Sequence, residues 1–185
     1  MSLRLKRISR NSKDINELKR LYSESFPVDE QLPFWILLWK SKKEFVDFFA
    51  FYDNHQLVGF TFLIYNTDLT FVLYLAIDDK YRSKGYGSMA LSKIKEYYPD
   101  NRIVLNIELV DDSTENYEQR LRRKKFYLKN GFKESALKMT EANDNSYEVL
   151  INGSDITKEE YYGLYKKFIG RVLYRFAKPV IQYFT

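Results

Sequence analysis

Apolar residues along the chain follow two spacings, one typical of strands and the other of helices. Alternating or continuous apolar runs predict strands at 3–8, 45–52, 57–65, 70–77, 102–109, 132–140 and 147–151. Apolar positions three and four residues apart predict helices that begin near residues 14, 32, 88, 114 and 157. Three consecutive strands ahead of a β-α-β-α unit predict a mixed α/β fold, with one sheet and helices on both faces.

Capping residues indicate where several of these elements begin or end. Thr157 followed by Glu160 forms a capping-box pattern at the start of the last helix. Gly131 suits the end of the helix at 114–130, because glycine readily adopts the left-handed backbone conformation found there. Ser12 or Asp14 is expected to cap the first helix.

Composition limits both the fold and the chemistry. The 185 residues are 45% apolar, enough for one domain, or one domain with an appendage. The absence of cysteine excludes disulfides, a thiol nucleophile and a thiolate zinc site, and the single histidine excludes a multi-histidine metal site. Acid–base chemistry therefore needs carboxylates, tyrosines, lysines, the substrate or water. Since no apolar run approaches 18 residues and no cleavage-site pattern follows the N-terminus, we expect a cytoplasmic protein without a membrane span.

One loop carries the strongest chemical signal. The nearly continuous apolar strand at 70–77 leads into a basic loop with Gly85 and Gly87, and a helix follows. Glycines let the backbone turn sharply and approach a ligand, and the free amides at a helix N-terminus bind anions. Arg82 and Lys84 add positive charge, and the net charge of +5 suits an anionic ligand. The loop predicts a diphosphate site; a plain strand-to-helix turn is the alternative.

Two motifs in the sequence resemble the GNAT superfamily of N-acetyltransferases. The Arg-x-x-Gly-x-Gly pattern at 82–87 is similar to the acyl-CoA pyrophosphate loop of that family. The Phe-Tyr-x-x-x-Gly-Phe pattern at 126–132 is similar to the family's motif after the fifth strand. The resemblance covers about 3–151 and implies a GNAT-like, mostly antiparallel sheet of about seven strands flanked by helices. We expect a GNAT-like domain at 1–152, and a C-terminal helical extension at 153–185 packed on the same domain or on a partner subunit.

The resemblance also implies how a co-substrate binds. Acetyl-CoA would enter between the fourth and fifth strands, and no metal is expected. Backbone groups of Leu75 and Ile77 would pair with the pantetheine arm, and an amide near Ile77 would polarise the thioester carbonyl. The pyrophosphate would bind backbone amides of Arg82, Ser83, Lys84, Gly85, Tyr86, Gly87 and Ser88.

Two catalytic residues are implied in the same way. Tyr127 would protonate the departing CoA thiolate; the alternative is a core tyrosine on an amphipathic helix. Glu108 is the only carboxylate in the apolar run 103–109, where it would take the proton of the acceptor amine directly or through a water. The alternatives for Glu108 are a solvent-facing strand residue or an ion-pair partner of the basic helix that follows.

Two further segments leave the acceptor open. The basic run at 120–125 departs from the family pattern and suits CoA phosphates, an acidic acceptor, nucleic acid or a solvated helix face. The aromatic segment at 34–39 suits the wall of an acceptor site or plain core packing. The sequence thus predicts acetyl-CoA-dependent N-acetylation of a primary amine on a small molecule or peptide. A non-catalytic acyl-CoA sensor or an RNA-binding module is the alternative; no nucleic acid is expected as a partner, and a homodimer is left open.

Overall fold

The computed structural model describes residues 2–141, 145–170 and 179–183. The chain divides into two compact units. Unit 1 contains Met1–Tyr65 and Val72–Pro99, and unit 2 contains Asn66–Phe71 and Asp100–Thr185.

Unit 1 contains the first strands of the sheet and the first three helices. Its strands lie in the order β1-β2-β3-β4, and the pairs β1/β2 and β2/β3 are antiparallel. The first three residues of β4 belong to unit 2. The elements are β1 (Leu3–Arg7), α1 (Ile15–Ser25), α2 (Phe34–Lys40), β2 (Val46–Asp53), β3 (Gln56–Tyr65), β4 (Leu69–Ile77) and α3 (Tyr86–Tyr97).

Unit 2 contains the remaining strands, in the order β5-β7-β6-β8, and each neighbouring pair is antiparallel. Its elements are β5 (Arg102–Glu108), α4 (Tyr117–Lys129), β6 (Lys133–Thr140), β7 (Ser146–Asn152), α5 (Lys158–Ile169) and β8 (Val180–Tyr183). The short strand β8 has no counterpart among the predicted strands. Residues 171–178, in the middle of the expected helical extension, lie outside the described residues.

The predicted fold class is confirmed. The described residues contain eight strands and five α-helices, and the sheet is mostly antiparallel. All seven predicted strands are present, and β8 is added after the C-terminal helix α5. No helix in the described part of the chain is long and apolar enough to cross a membrane.

Aromatic side chains fill the core of unit 1. Every residue of β2 from Val46 to Tyr52 is buried, as are eight consecutive residues of β3. The ring of Phe48 packs edge-on against Phe60 and Phe62, at centroid distances of 5.8 and 5.3 Å. The continuous apolar runs of these strands thus reflect burial on both faces, and many of the chain's aromatic residues serve the core.

Capping at the helix ends follows the sequence in two cases and departs from it in one. Thr157 and Glu160 form the predicted capping box of α5, and Gly131 adopts a left-handed φ of 83° after α4. Asp14 is the N-cap of α1, one of the two predicted residues, but neither its side chain nor that of Ser12 gives the helix a capping hydrogen bond. Asp14 instead accepts a hydrogen bond from the Tyr52 hydroxyl at 2.6 Å. A partner 38 residues away thus replaces the local cap.

A close backbone contact in unit 1 predicts a stability difference between two glycines. A Cβ at Gly59 would lie 2.3 Å from the carbonyl oxygen of Ala76, whereas a Cβ at Gly163 in α5 would meet no atom within 4 Å. We expect Gly59→Ala to lower the free energy of unfolding by about 2 kcal/mol through overpacking. We expect Gly163→Ala to raise it by about 0.5 kcal/mol, because alanine favours the helix. Urea unfolding measures both; equal effects would contradict the contact.

An ion pair in unit 2 predicts how stability depends on pH. Hydrogen bonds from Arg102 and from the backbone of Thr157 lower the pKa of Glu160 from 4.5 to about 2. Since the pKa is lower in the folded state, the stabilisation is complete above the unfolded pKa and is lost as the pH falls from about 4.5 towards 2. We expect the difference in unfolding free energy between the wild type and Glu160→Gln to shrink towards zero near pH 2. A difference that stays constant from pH 7 to pH 2 would exclude this linkage.

Candidate functional site

A buried carboxylate anchors the loop between β4 and α3 in unit 1. Asp78 follows the last residue of β4 and is 6% exposed. Its backbone N–H donates to the Val58 carbonyl at 2.9 Å. One carboxylate oxygen accepts from the Lys80 N–H at 3.0 Å, and the other pairs with Arg20 of α1 at 3.2 Å. The start of the loop is therefore held to both β3 and α1.

The two cations of the loop bind the loop's own atoms. Arg82 donates from Nε to the Ile77 carbonyl at 3.2 Å and pairs with Asp79 at 2.7 Å. Lys84 donates to the Lys80 carbonyl at 2.8 Å. Both side chains are exposed. The predicted positive charge is present at the loop, and these contacts also order its backbone.

The start of α3 has the features of an anion site. Ser83 and Gly85 both have left-handed φ angles, of 60° and 84°, which turn the chain sharply into the helix. Gly85 is the N-cap and has no side chain, so no side-chain cap occupies the first amides of α3. The helical hydrogen bonds begin with the Met89 N–H, which donates to the Gly85 carbonyl at 3.1 Å. The amides of the first turn and the helix dipole thus favour an anion at this end.

The other predicted residues of this site lie on the same loop or on β4. Tyr86 is buried, and its hydroxyl donates to Asp53 at 2.7 Å, which lowers the pKa of that carboxyl. Gly87 and Ser88 are half-buried in the first turn of α3. Leu75 and Ile77 are half-buried on one face of β4, while the residues that alternate with them are buried. Unit 1 therefore brings together all nine predicted cofactor residues, from Leu75 to Ser88.

Sequence reasoning missed the residues that support this loop. Asp53 lies on β2, Arg20 lies on α1 and Asp78 directly follows β4, and none of them belongs to the loop motif. For Asp78 the sequence did contain one local signal. An aspartate directly after a strand often accepts a hydrogen bond from the backbone N–H two residues later and so caps a turn, as Asp78 does with Lys80. Nothing in the sequence pairs Arg20 with Asp78, which lies 58 positions away.

Tyr127 lies in unit 2, on the last turn of α4. It is half-buried, with the rings of Phe126 and Phe132 at centroid distances of 5.1 and 5.7 Å. Its hydroxyl has no hydrogen-bond partner among the described residues. Burial raises the pKa of the Tyr127 hydroxyl, and the positive charge of Arg123 opposes this rise. The phenol therefore carries its proton at neutral pH and has a free donor.

Glu108 ends β5 in the same unit, and its side chain is 20% exposed. Its Oε1 lies 3.1 Å from Arg120 and accepts from Asn116 at 3.4 Å. Its Oε2 pairs with Arg123 at 2.9 Å. The ion pair with the basic helix, which the sequence left open as an alternative, is thus present. Both carboxylate oxygens of Glu108 are therefore engaged by cations of α4.

The basic run at 120–125 is divided between ion pairs and solvent. Besides Arg120 and Arg123, which bind Glu108, Lys124 pairs with Glu134 at 2.8 Å and with Glu148 at 2.6 Å. The remaining cations, Arg122 and Lys125, are exposed. Three of the five cations in the run therefore join α4 to the strands of unit 2. No group of three or more histidine, cysteine, aspartate or glutamate residues in the described ranges could hold a metal ion.

The aromatic segment at 34–39 forms α2, in which some side chains are buried and others are exposed. Leu37 is fully buried, whereas Trp35 and Trp39 are 63% and 47% exposed. The two indoles lie one turn apart on α2, and the ammonium group of Lys43 lies 5.4 Å from the ring of Trp39. Part of the segment is core, and part is an exposed aromatic surface of unit 1.

Comparison with known proteins shows which family and which solved structures this chain is similar to. Residues 44–134 match the family model described as an acetyltransferase (GNAT) domain. A putative GNAT-family acetyltransferase from Bacteroides thetaiotaomicron has the same fold, with a TM-score of 0.73 at 21% identity over 92% of this chain and 98% of that one. An aminoglycoside 6'-N-acetyltransferase solved with coenzyme A has a TM-score of 0.62 at 17% identity, over 80% and 95% of the two chains.

One relative found by sequence is not named as an acetyltransferase. The cyclic 2,3-diphosphoglycerate synthetase of Thermococcus sibiricus is 32% identical over 103 residues. The match covers 52% of this chain and 23% of that protein, so this chain spans less than a quarter of the relative's length.

The left-handed conformation of Gly85 predicts a residue-specific effect on stability. A Cβ at Gly85 would meet no atom within 4 Å, so a substitution there adds backbone strain without a clash. We expect Gly85→Ala to lower the free energy of unfolding by about 1 kcal/mol. We expect a smaller loss for Gly85→Asn, because asparagine tolerates the left-handed region. Chemical unfolding of the two variants compares them; equal losses would show that φ is not the constraint.

Proposed function

Because the chain belongs to the GNAT superfamily of acetyltransferases through the domain at 44–134, we propose that it transfers the acetyl group of acetyl-CoA directly to a primary amine. The observation that carries this proposal is the start of α3, where a left-handed Gly85 leaves the first helical amides without a side-chain cap. A bound diphosphate is the kind of group that such a helix start accommodates.

The loop of unit 1 is proposed to hold the pyrophosphate. The amides between Arg82 and Ser88 supply hydrogen bonds, and the exposed Arg82 and Lys84 supply positive charge. The anchoring of Asp78 fixes the loop before the ligand arrives, so less conformational freedom is lost on binding. On the half-buried face of β4, the backbone near Leu75 and Ile77 is proposed to pair with the pantetheine arm and to polarise the thioester carbonyl.

The chemical step needs no covalent enzyme intermediate, and the chain has no cysteine to form one on sulfur. The amine nitrogen attacks the thioester carbonyl carbon, a C–N bond forms, and the C–S bond breaks with its electron pair on sulfur. Tyr127 is proposed to give its hydroxyl proton to that sulfur and to regain a proton from solvent. Its free donor and its protonated state at neutral pH support this role.

The amine loses one proton in the same reaction. Glu108 is the carboxylate predicted to receive it, directly or through a water. Because both oxygens of Glu108 already bind cations, we propose that water takes the proton and that Glu108 serves chiefly to hold the basic helix α4. The proposed acceptor is a small molecule or a peptide amine.

A CoA-release screen tests the proposal. The absence of cysteine means that a thiol reagent reports free CoA without background from the protein. We expect acetyl-CoA to bind in calorimetry and at least one class among small amines, amino sugars, peptide N-termini and protein lysines to release CoA. Absence of binding would overturn the proposal; binding without turnover on any class would identify an acyl-CoA sensor instead.

A matched pair of variants tests the acid. We expect Tyr127→Phe to lower kcat by about 10²-fold, because the general acid is lost while binding is retained. Tyr117→Phe, at the other end of α4, removes the same hydroxyl group and is expected to leave kcat unchanged. Steady-state kinetics with acetyl-CoA measures both; unchanged turnover in Tyr127→Phe would remove the residue from the mechanism.

A further inference from the structure

The side chains around the end of β5 assign a role to one cation of the basic run. We propose that Arg123 is a positioning residue, held by Glu108, whose charge beside Tyr127 eases the release of the hydroxyl proton to the departing sulfur. This inference rests on the proposed function, since it takes Tyr127 as the acid.

Arg120 and Arg123 share one carboxylate but differ in their other contacts. Arg120 also donates to the Leu109 carbonyl at 2.9 Å, and its side chain is 20% exposed. Arg123 is 40% exposed, and its one partner among the described residues is Glu108, at 2.9 Å. Arg120 therefore fastens α4 to the end of β5, whereas Arg123 is oriented by a single contact and keeps unused N–H donors.

The position of Arg123 on the helix places it near the acid. Arg123 and Tyr127 are four residues apart on α4, and this spacing puts two side chains on the same face of a helix. The carboxylate of Glu108 offsets one of the two guanidinium charges that it binds, so the cluster stays positive. Lys124 is bound elsewhere, by Glu134 and Glu148.

The electrostatic effect has a direction that suits an acid. Burial raises the pKa of Tyr127, and the positive charge of Arg123 opposes this rise. The groups packed on the ring from its own helix and from the segment after it, Phe126 and Phe132, are uncharged. When Tyr127 gives up its proton, a phenolate forms in a half-buried place, and a nearby cation stabilises that charge.

This arrangement differs from one in which Glu108 is the base. A base must be free to accept a proton, whereas this carboxylate holds two cations. If Glu108 positions Arg123, its loss should change the titration of Tyr127. If Glu108 is the base, its loss should remove one limb of the pH–rate profile and leave Tyr127 unchanged.

The first experiment uses fluorine NMR and does not depend on activity. With 3-fluorotyrosine placed at 127, the fluorine shift follows the ionisation of that phenol as the pH rises. We expect Arg123→Gln to raise the midpoint by about one pH unit, because an attractive charge has been removed. The control Arg122→Gln makes the same charge change on an exposed residue and is expected to leave the midpoint unchanged. An unchanged midpoint in Arg123→Gln would overturn the inference.

Kinetics supplies the second readout. We expect Arg123→Gln to lower kcat by up to about tenfold, since one unit in the pKa of the acid corresponds to at most that factor. KM for acetyl-CoA should stay unchanged, and Arg123→Lys should recover much of kcat because it keeps the charge. A fall in kcat that Arg123→Lys does not recover, with no shift in the fluorine midpoint, would indicate a merely structural role.

Glu108→Gln separates the two roles of the carboxylate. We expect it to shift the fluorine midpoint of Tyr127 while both limbs of the pH–rate profile remain. Loss of one limb with an unmoved midpoint would assign Glu108 as the base and overturn the inference. If the wild type shows no turnover on any amine, the proposed function fails, yet the fluorine titration still decides whether Arg123 acts on Tyr127.

Discussion

The buried carboxylate of Asp78 is the interaction on which the candidate ligand loop depends. β4 ends at the half-buried Ile77, the buried Asp78 follows, and the loop then turns into α3 through a left-handed Gly85. Such a turn is costly unless its first residues are fixed, and Asp78 fixes them by capping Lys80 and by binding Arg20. The amides of α3 then point outward from a preordered loop, which is the condition for binding an anion at a helix start.

The positive charge of the chain is used locally rather than as one field. Arg82 contacts the backbone oxygen at the end of β4, and Lys84 contacts one within the loop, so their first effect is to shape the loop. Arg102 binds Asp68 and Glu160, each at 2.6 Å, and joins α5 to the strands of unit 2. Lys124 does the same for α4. A net charge of +5 therefore says little about a nucleic-acid partner, because many of the cations have acidic or carbonyl partners within the protein.

The candidate chemistry of unit 2 depends on which groups are occupied and which are free. Tyr127 has a protonated hydroxyl with no hydrogen-bond partner in the described part of the chain, whereas Glu108 is engaged at both oxygens. Both residues were expected to transfer protons, but the phenol of Tyr127 can donate a proton directly, whereas the carboxylate of Glu108 is already bound to two cations. In the proposed mechanism the carboxylate contributes through the cations that it holds, and the phenol contributes directly.

Sequence alone determined the features that depend on neighbouring residues. Continuous apolar runs predicted the buried strands, and a capping box and Gly131 marked the ends of two helices. The glycine pattern at 82–87 pointed to the candidate ligand loop and to the family whose model matches residues 44–134. These signals are local, because periodicity reports burial and glycine reports backbone conformation.

Only the tertiary structure decided the partners of charged side chains: Tyr52 for Asp14, Arg20 for Asp78, and Arg123 for Glu108. It also decided that the tail adds β8, whose four residues pair with β6. These side-chain pairs join positions 15 to 58 residues apart in the sequence. A charged side chain could pair with many oppositely charged residues, and the sequence alone does not show which one lies beside it. In the same way, it does not show which strand a short edge strand pairs with.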